Sequence, residues 1–283
     1  MRLVTYNAGD GARAGYLEDG RVVDAWAALG EPHRGGLREL IAAGRIDDLR
    51  ATMGDTGAPS HPESAVALLP PIPDPDKIVC IGLNYGKHAA EVGAEPPANP
   101  VVFAKYRNSL AAPGEAVKLP ANSSKVDFEA EVAFVVGKRA KDVAEADALD
   151  YVAGYTLLND LSARDLQGRG PQWMPGKIFD GAAPCGPALV TPDASGPADA
   201  IGISLTLNGK TMQESSTEDL IFSIPQLVAD LSSLMTLEPG DVVATGTPEG
   251  VGMGRDPRVW LAAGDEIVIE SPTLGRLETT ISA

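Results

Sequence analysis

The sequence predicts an α+β fold rich in strands, and three observations carry that expectation. Short apolar runs bounded by Gly, Pro, Asn and Asp recur from residue 77 to the end. Few stretches hold a helical period for more than two turns. A chain of 283 residues is long enough to bury a full core, as one large domain with an appendage or as two modest domains.

Residues 1–70 are expected to form a small N-terminal α/β unit with a proline-rich linker, and 71–283 the main domain. Arg2–Tyr6 and Arg13–Leu17 are strand candidates, and Glu18-Asp19-Gly20 is a hairpin signal leading into Arg21–Asp24. Leu37–Ala43 reads as a helix stopped by Gly44. Prolines at 59, 62, 70, 71, 73 and 75 predict a connection over 57–76 without a regular element. Lys77–Ile81 reads as a strand. Val126–Val136 reads as one continuous strand covered on both faces, because apolar residues fill nearly every other place on each side. Lys141–Ala153 reads as a short helix, Tyr155–Leu158 as a strand, and Ser162–Asp180 as a loop lining a site. Ile201–Leu207 and Lys210–Gln213 should pair through Asn208-Gly209, and Ile224–Leu234 should be helical. Leu237–Val243 and Leu261–Ile267 each open with a turn before a strand and are expected to be neighbours.

Composition narrows the partners. A net charge of −16 argues against nucleic acid and anionic membrane surfaces, and no apolar run is long enough to span a bilayer. The N-terminus lacks the basic start and apolar stretch of a secretion signal, so a cytoplasmic protein is expected. Cys80 and Cys185 lack metal or redox spacing and read as buried free thiols. His33 reads as a surface loop residue, and His61 receives no role.

The chemistry concentrates around Glu129, Glu131 and Asp160. Side chains two apart on a strand share a face, so the two glutamates would project into one space, with Asp160 at the mouth of a second strand. Two carboxylates about 4 Å apart repel by roughly 4 kcal/mol at an effective dielectric of about 20, and a cation removes that penalty. Three oxygen donors suit Mg2+ or Mn2+, with Ca2+ also admissible, whereas zinc favours His or Cys ligands. Glu-x-Glu alone is common on the wet face of an edge strand, so its neighbours decide. His88 and Glu91 stand at i, i+3, which on a helix sets imidazole beside carboxylate, an arrangement that fixes the tautomer and raises basicity. Lys105 and Arg107 are further candidates for charge compensation.

Four strings surround Asp127-Phe-Glu-Ala-Glu131: Gly82-Leu-Asn-Tyr-Gly-Lys-His-Ala-Ala-Glu91, Asn159-Asp-Leu-Ser-Ala-Arg-Asp165, Gly176-Lys-Ile-Phe-Asp180 and Thr245-Gly-Thr-Pro-Glu-Gly-Val-Gly252. Together, and in this order, they resemble the fumarylacetoacetate hydrolase family over about residues 75–280. The resemblance implies a mixed β-roll core, a homodimer and a divalent metal on Glu129, Glu131 and Asp160. It makes His88, Glu91 and Lys177 the catalytic residues, and Tyr85, Arg164, Gln167 and Thr247 the substrate contacts. Residues 92–100 would belong to a lid. The C-terminal Glu278-Thr-Thr-Ile departs from the Arg-Asn that many members carry there.

These parts imply a metal-dependent hydrolase that cleaves the C–C bond of an acylpyruvate, a small anionic oxo-acid, to pyruvate and a carboxylic acid, with His88 activating water. Oxaloacetate decarboxylation or tautomerisation, and 2-hydroxyhepta-2,4-diene-1,7-dioate isomerisation, use the same site and stand as alternatives. A catalytically silent scaffold would keep the glycine and apolar framework while losing the polar residues, and here they are all present.

Overall fold

A computed structural model describes residues 1–9, 11–54 and 57–282. Its backbone is a twelve-stranded mixed sheet, a five-stranded sheet and a two-stranded ribbon, with short helices. The α+β, strand-rich expectation holds. Among the described residues no helix is long and apolar enough to cross a membrane.

The large sheet runs Ser60–Pro62, Arg21–Asp24, Ala12–Glu18, Arg2–Asn7, Ala183–Val190, Val152–Asn159, Ala130–Val136, Val242–Ala244, Ile78–Gly82, Val101–Lys105. The N-terminal strands thus extend the central sheet, through pairing of Arg2 and Leu3 with Val190 and Leu189. Strand Ala130–Val136 is buried at every residue. Val132, Phe134 and Val136 pack on one face, with the five-stranded sheet and helix Ile224–Leu234; Ala133 and Val135 pack on the other, with Trp26, Leu37, Leu40 and Leu49. That alternation explains why the sequence is apolar at nearly every position. Helix Ile224–Leu234 lies where its period placed it, opened by a Ser223/Gln226 capping box. The hairpins at Asp19-Gly20 and Asn208-Gly209 have positive φ at both central residues, the geometry that matches strand twist.

Several expectations need correction. Val126–Val136 is two strands, Val126–Asp127 paired with Ser162–Ala163, and Ala130–Val136 in the large sheet. Side chains end the ladder between them: the N–H groups of Phe128, Glu129 and Ala130 donate to Asp127, Asn159 and Gln213 side chains. The 57–76 connection holds two short strands, Ser60–Pro62 and Ala67–Leu68, and proline is tolerated there because Ser60–Pro62 is an edge. The helix expected over Lys141–Ala153 is a 3-10 turn, Glu145–Tyr151, running straight into strand Val152–Asn159. Segment Ser162–Asp180 contains a short helix, Arg164–Gln167. Val242–Ala244 and Glu266–Ser271 are not neighbours; they lie in different sheets, since the first is wedged between Ala130–Val136 and Ile78–Gly82. Both cysteines are free and buried, as expected.

Candidate active site

The break at Phe128–Glu129 shapes the site. Glu129 stands just before its strand and Glu131 one residue inside it, while Asp160 follows the end of the paired strand Val152–Asn159. The Asp160 N–H donates to the Glu129 carbonyl, and the Glu129 N–H donates to the Asn159 side chain, which locks the two strand ends together. Each of the three carboxylates offers an oxygen within 4.8 Å of the others, and all three residues are buried. The strand periodicity that predicted convergence was incomplete, because Glu129 is outside the ladder; the convergence itself is present.

Three buried cations surround this cluster. Lys177 Nζ lies 2.7 Å from Glu129 and 2.8 Å from Asp160. Lys105, on strand Val101–Lys105, places its ammonium 2.8 Å from Asp160 Oδ1, yet directs its hydrogen bonds to the carbonyls of Leu161, Lys177 and Ala182. Arg164 bridges Asp127 at 2.9 Å and Glu129 at 2.6 Å. Arg107, by contrast, is exposed and takes no part. Burial alone would push Glu129 up, but Arg164 and Lys177 outweigh it and hold its carboxyl down at about 2. Burial likewise works against the Lys177 ammonium, and Asp160 and Glu129 more than restore it, holding it above the usual lysine range. Glu131 is different. Burial, then Asp160 and Glu129, push its carboxyl well above the usual range, and Lys177 only partly offsets them; among the described residues no cationic side chain pairs with it directly.

The donor set fits a hard divalent ion on these observations. Four buried carboxylates, counting Asp127, face three buried cations, so the cluster is short of positive charge. Asp160 Oδ1 accepts no hydrogen bond and has the Lys105 ammonium at 2.8 Å as its charged neighbour, which leaves it lone-pair capacity for a further cation. An all-oxygen set matches Mg2+ or Mn2+.

Glu129, Glu131 and Lys177 line a cavity of about 290 Å³ together with His88, Arg164, Gln167, Thr247, Trp173, Phe103 and Met253. That is the small end of the roughly 300–1,000 Å³ usual for small-molecule sites. Trp173 forms part of its wall by packing on Gly82, where a Cβ would come within 2.2 Å of the indole, so only glycine fits. His88 rides on the short helix Gly86–Glu91, and its Nδ1 lies 3.1 Å from Glu91 Oε2. Glu91 is itself held by the Gly250 N–H at 2.9 Å. Glu91 and Asp160 do not line the cavity but position residues that do. Tyr85 does not line it either; it is buried as the N-cap residue of the His88 helix, and burial raises its phenol. Of residues 92–100 only Val92 reaches the cavity. His33 is exposed, and His61 lies on the edge strand Ser60–Pro62 against Tyr6.

Sequence reasoning missed Gln213, Asp127 as a hub, and the aromatic wall of Phe103 and Trp173. Asp127 accepts from the N–H groups of Gly252 and Met253 while pairing with Arg164, and so ties the Thr245–Gly252 loop to the cluster. Its place in the quoted string was the only signal. Gln213 carried none, since its orientation depends on a strand irregularity.

Comparison with known proteins agrees with this geometry. The family model for the fumarylacetoacetate (FAA) hydrolase C-terminal region matches residues 77–282. A protein named oxaloacetate tautomerase fahd2, mitochondrial, from Xenopus laevis is 39% identical over 288 residues, 99% of this chain and 90% of the relative. The maleylpyruvate hydrolase of Sphingobium sp. SYK-6, solved with manganese (II) and pyruvate, superposes with a TM-score of 0.82 at 31% identity, covering 100% of this chain and 99% of that one. The 2-hydroxyhepta-2,4-diene-1,7-dioate isomerase of Mycobacterium marinum gives a TM-score of 0.79 at 31% identity, over 100% and 98%. Matched along nearly its whole length by enzymes named for three different reactions, the chain belongs to the fumarylacetoacetate hydrolase family.

Proposed function

We propose that this enzyme interconverts the enol and keto forms of a small 2-oxo diacid of the oxaloacetate class, with Mg2+ or Mn2+ held by Glu129, Glu131 and Asp160. The observation that carries the reading is the shared lining: one small cavity joins the carboxylate cluster, an ammonium and an oriented imidazole. The relative named as an oxaloacetate tautomerase supports it over nearly the full length. This displaces the acylpyruvate hydrolysis expected from sequence in favour of its tautomerase alternative.

When bound, the ion supplies polarisation of the oxo-acid's keto oxygen. The chain's own groups do the rest. Glu91 accepts from one imidazole nitrogen, which leaves Nε2 of His88 to carry a proton between the carbon beside the carbonyl and the oxygen that becomes the enol hydroxyl. Lys177 uses two N–H groups on Glu129 and Asp160, and its third is available to a substrate oxygen. Arg164 and Lys105 hold the carboxylates in place, and the Phe103, Trp173 and Met253 side chains limit water. Three buried cations plus a divalent ion against four carboxylates leave one positive charge when all four are ionised, which suits an anionic acid.

C–C hydrolysis is the second reading, favoured by the same His88–Glu91 pair, which equally orients a water. One assay separates them. Ultraviolet absorbance of enol-oxaloacetate should relax to the keto value faster with Mg2+-loaded protein, EDTA should abolish the acceleration, and acetylpyruvate and fumarylpyruvate should remain intact. Cleavage of either acylpyruvate with no effect on oxaloacetate would establish hydrolysis instead.

A further inference from the structure

Strand Lys210–Ser216 buries two successive residues, Met212 and Gln213. A regular strand would send them to opposite faces. The cause lies in the register: Leu205 pairs with Gln213 but Thr206 pairs with Thr211, so Met212 is an extra residue, and such a bulge re-aims side chains. Gln213 belongs to the five-stranded sheet, yet spends every side-chain hydrogen bond on the active-site side. Its Oε1 accepts from the N–H of Ala130, the residue between Glu129 and Glu131, at 2.9 Å. Its Nε2 donates to Thr247 Oγ1 and to the Pro248 carbonyl, both at 2.8 Å.

These partners fix the amide unambiguously. A backbone N–H only donates and a carbonyl only accepts, so the Gln213 oxygen must face Ala130 and both amide hydrogens are committed. Thr247 Oγ therefore receives a proton from Gln213, while its own hydroxyl proton has no protein acceptor among the described residues. Thr247 is 4% exposed and lines the cavity, and the N–H of its neighbour Gly246 donates to Glu131 Oε2. The bulge also seats the loop: Met212 O accepts from Arg255, and a Cβ on Gly250 (φ +100°) would come within 2.0 Å of that oxygen.

We propose that Gln213 is a positioning residue that fixes the Thr247 hydroxyl as a donor into the cavity, selecting an acceptor-only oxygen, carboxylate or enolate, on the bound acid. The inference rests on this cavity being the substrate site of the proposed function. A hydroxyl free to turn would offer its lone pair as readily as its proton, and would not discriminate an anionic oxygen from a hydroxyl or amide.

A double-mutant cycle read by calorimetry of oxalate binding to the Mn2+-loaded protein tests it. Gln213→Met and Thr247→Val should each weaken oxalate about tenfold, the worth of one charge-assisted hydrogen bond. In the Thr247→Val background the added Gln213→Met change should cost less than about twofold, because the hydroxyl it orients is already gone. Thr247→Ser should bind oxalate as the wild type does, and Mn2+ titrated alone should bind all variants alike. Equal losses from Gln213→Met in both backgrounds, no loss at all, or a loss that merely follows weakened Mn2+ binding would overturn the proposal. Oxalate binding is independent of turnover, so inactivity of the wild type toward oxaloacetate would sink the tautomerase reading while leaving this one to be judged by the cycle.

Discussion

The two sides of the cavity are built on different principles. On one side Glu129, Asp160, Lys177, Lys105 and Arg164 have buried side chains, and each is gripped by at least two oppositely charged groups, counting Asp127, or by backbone carbonyls. On the other, His88 sits on a six-residue helix attached to the Thr245–Gly252 loop by the Glu91–Gly250 hydrogen bond and an exposed Lys87–Glu249 pair at 3.6 Å. The first side is preorganised for charge, where any reorganisation would cost heavily in a low dielectric. The second has few contacts to lose, the property expected of a part that moves to admit substrate. On the proposed function, the fixed charge cluster would hold the oxo-acid and the lighter side would carry the group that moves its proton.

Breaking the rigid side should have the largest effect. Asp160→Asn removes a ligand oxygen and leaves Lys105 and Lys177 facing one charge fewer, so Mn2+ affinity should fall by more than about 100-fold and stability by about 3–5 kcal/mol. Calorimetric titration and urea unfolding measure the two, and unchanged Mn2+ affinity would refute the ligand assignment. His88→Gln should lower enol-oxaloacetate turnover by roughly 10² to 10⁴ with Mn2+ affinity intact; a parallel loss of metal would show that the two sides are not separable. Glu91→Gln retains an oxygen for the Gly250 N–H but not the charge facing the imidazole, and turnover should drop roughly tenfold, visible in kcat before KM. Smallest of all, Lys87→Ala removes an exposed ion pair and should change stability by under about 1 kcal/mol, checked by the thermal midpoint; a larger shift would mean the helix is anchored more firmly than its contacts indicate.

The same division governs what the sequence revealed. Glu129, Glu131 and Asp160 were legible because charged residues set in or at the end of apolar runs violate the burial pattern around them, and the ordered strings located Lys177, His88 and Glu91. Hairpins and the Ile224–Leu234 helix were legible because turn chemistry and capping are local. What escaped depends on distant partners. The break at Phe128–Glu129 exists because Asn159 and Gln213 take the backbone N–H groups there, and neither is near in sequence. Placing Val242–Ala244 and Glu266–Ser271 side by side failed for the same reason: similar turn phrases say nothing about which sheet receives the strand. Gln213 was hidden by a bulge; Lys105 was named as a charge-compensating candidate, but the three carbonyls that fix its ammonium are assembled only by the fold.

The central claim is that Glu129, Glu131 and Asp160 together hold one divalent cation, to which an oxo-acid is presented beside His88. Anomalous diffraction from crystals grown with Mn2+ and oxalate tests it most directly. A single manganese peak within bonding distance of all three carboxylates, with oxalate filling the cavity toward Lys177 and Thr247, is the predicted result. A peak elsewhere, or carboxylate oxygens turned away from an empty centre at saturating Mn2+, would contradict it.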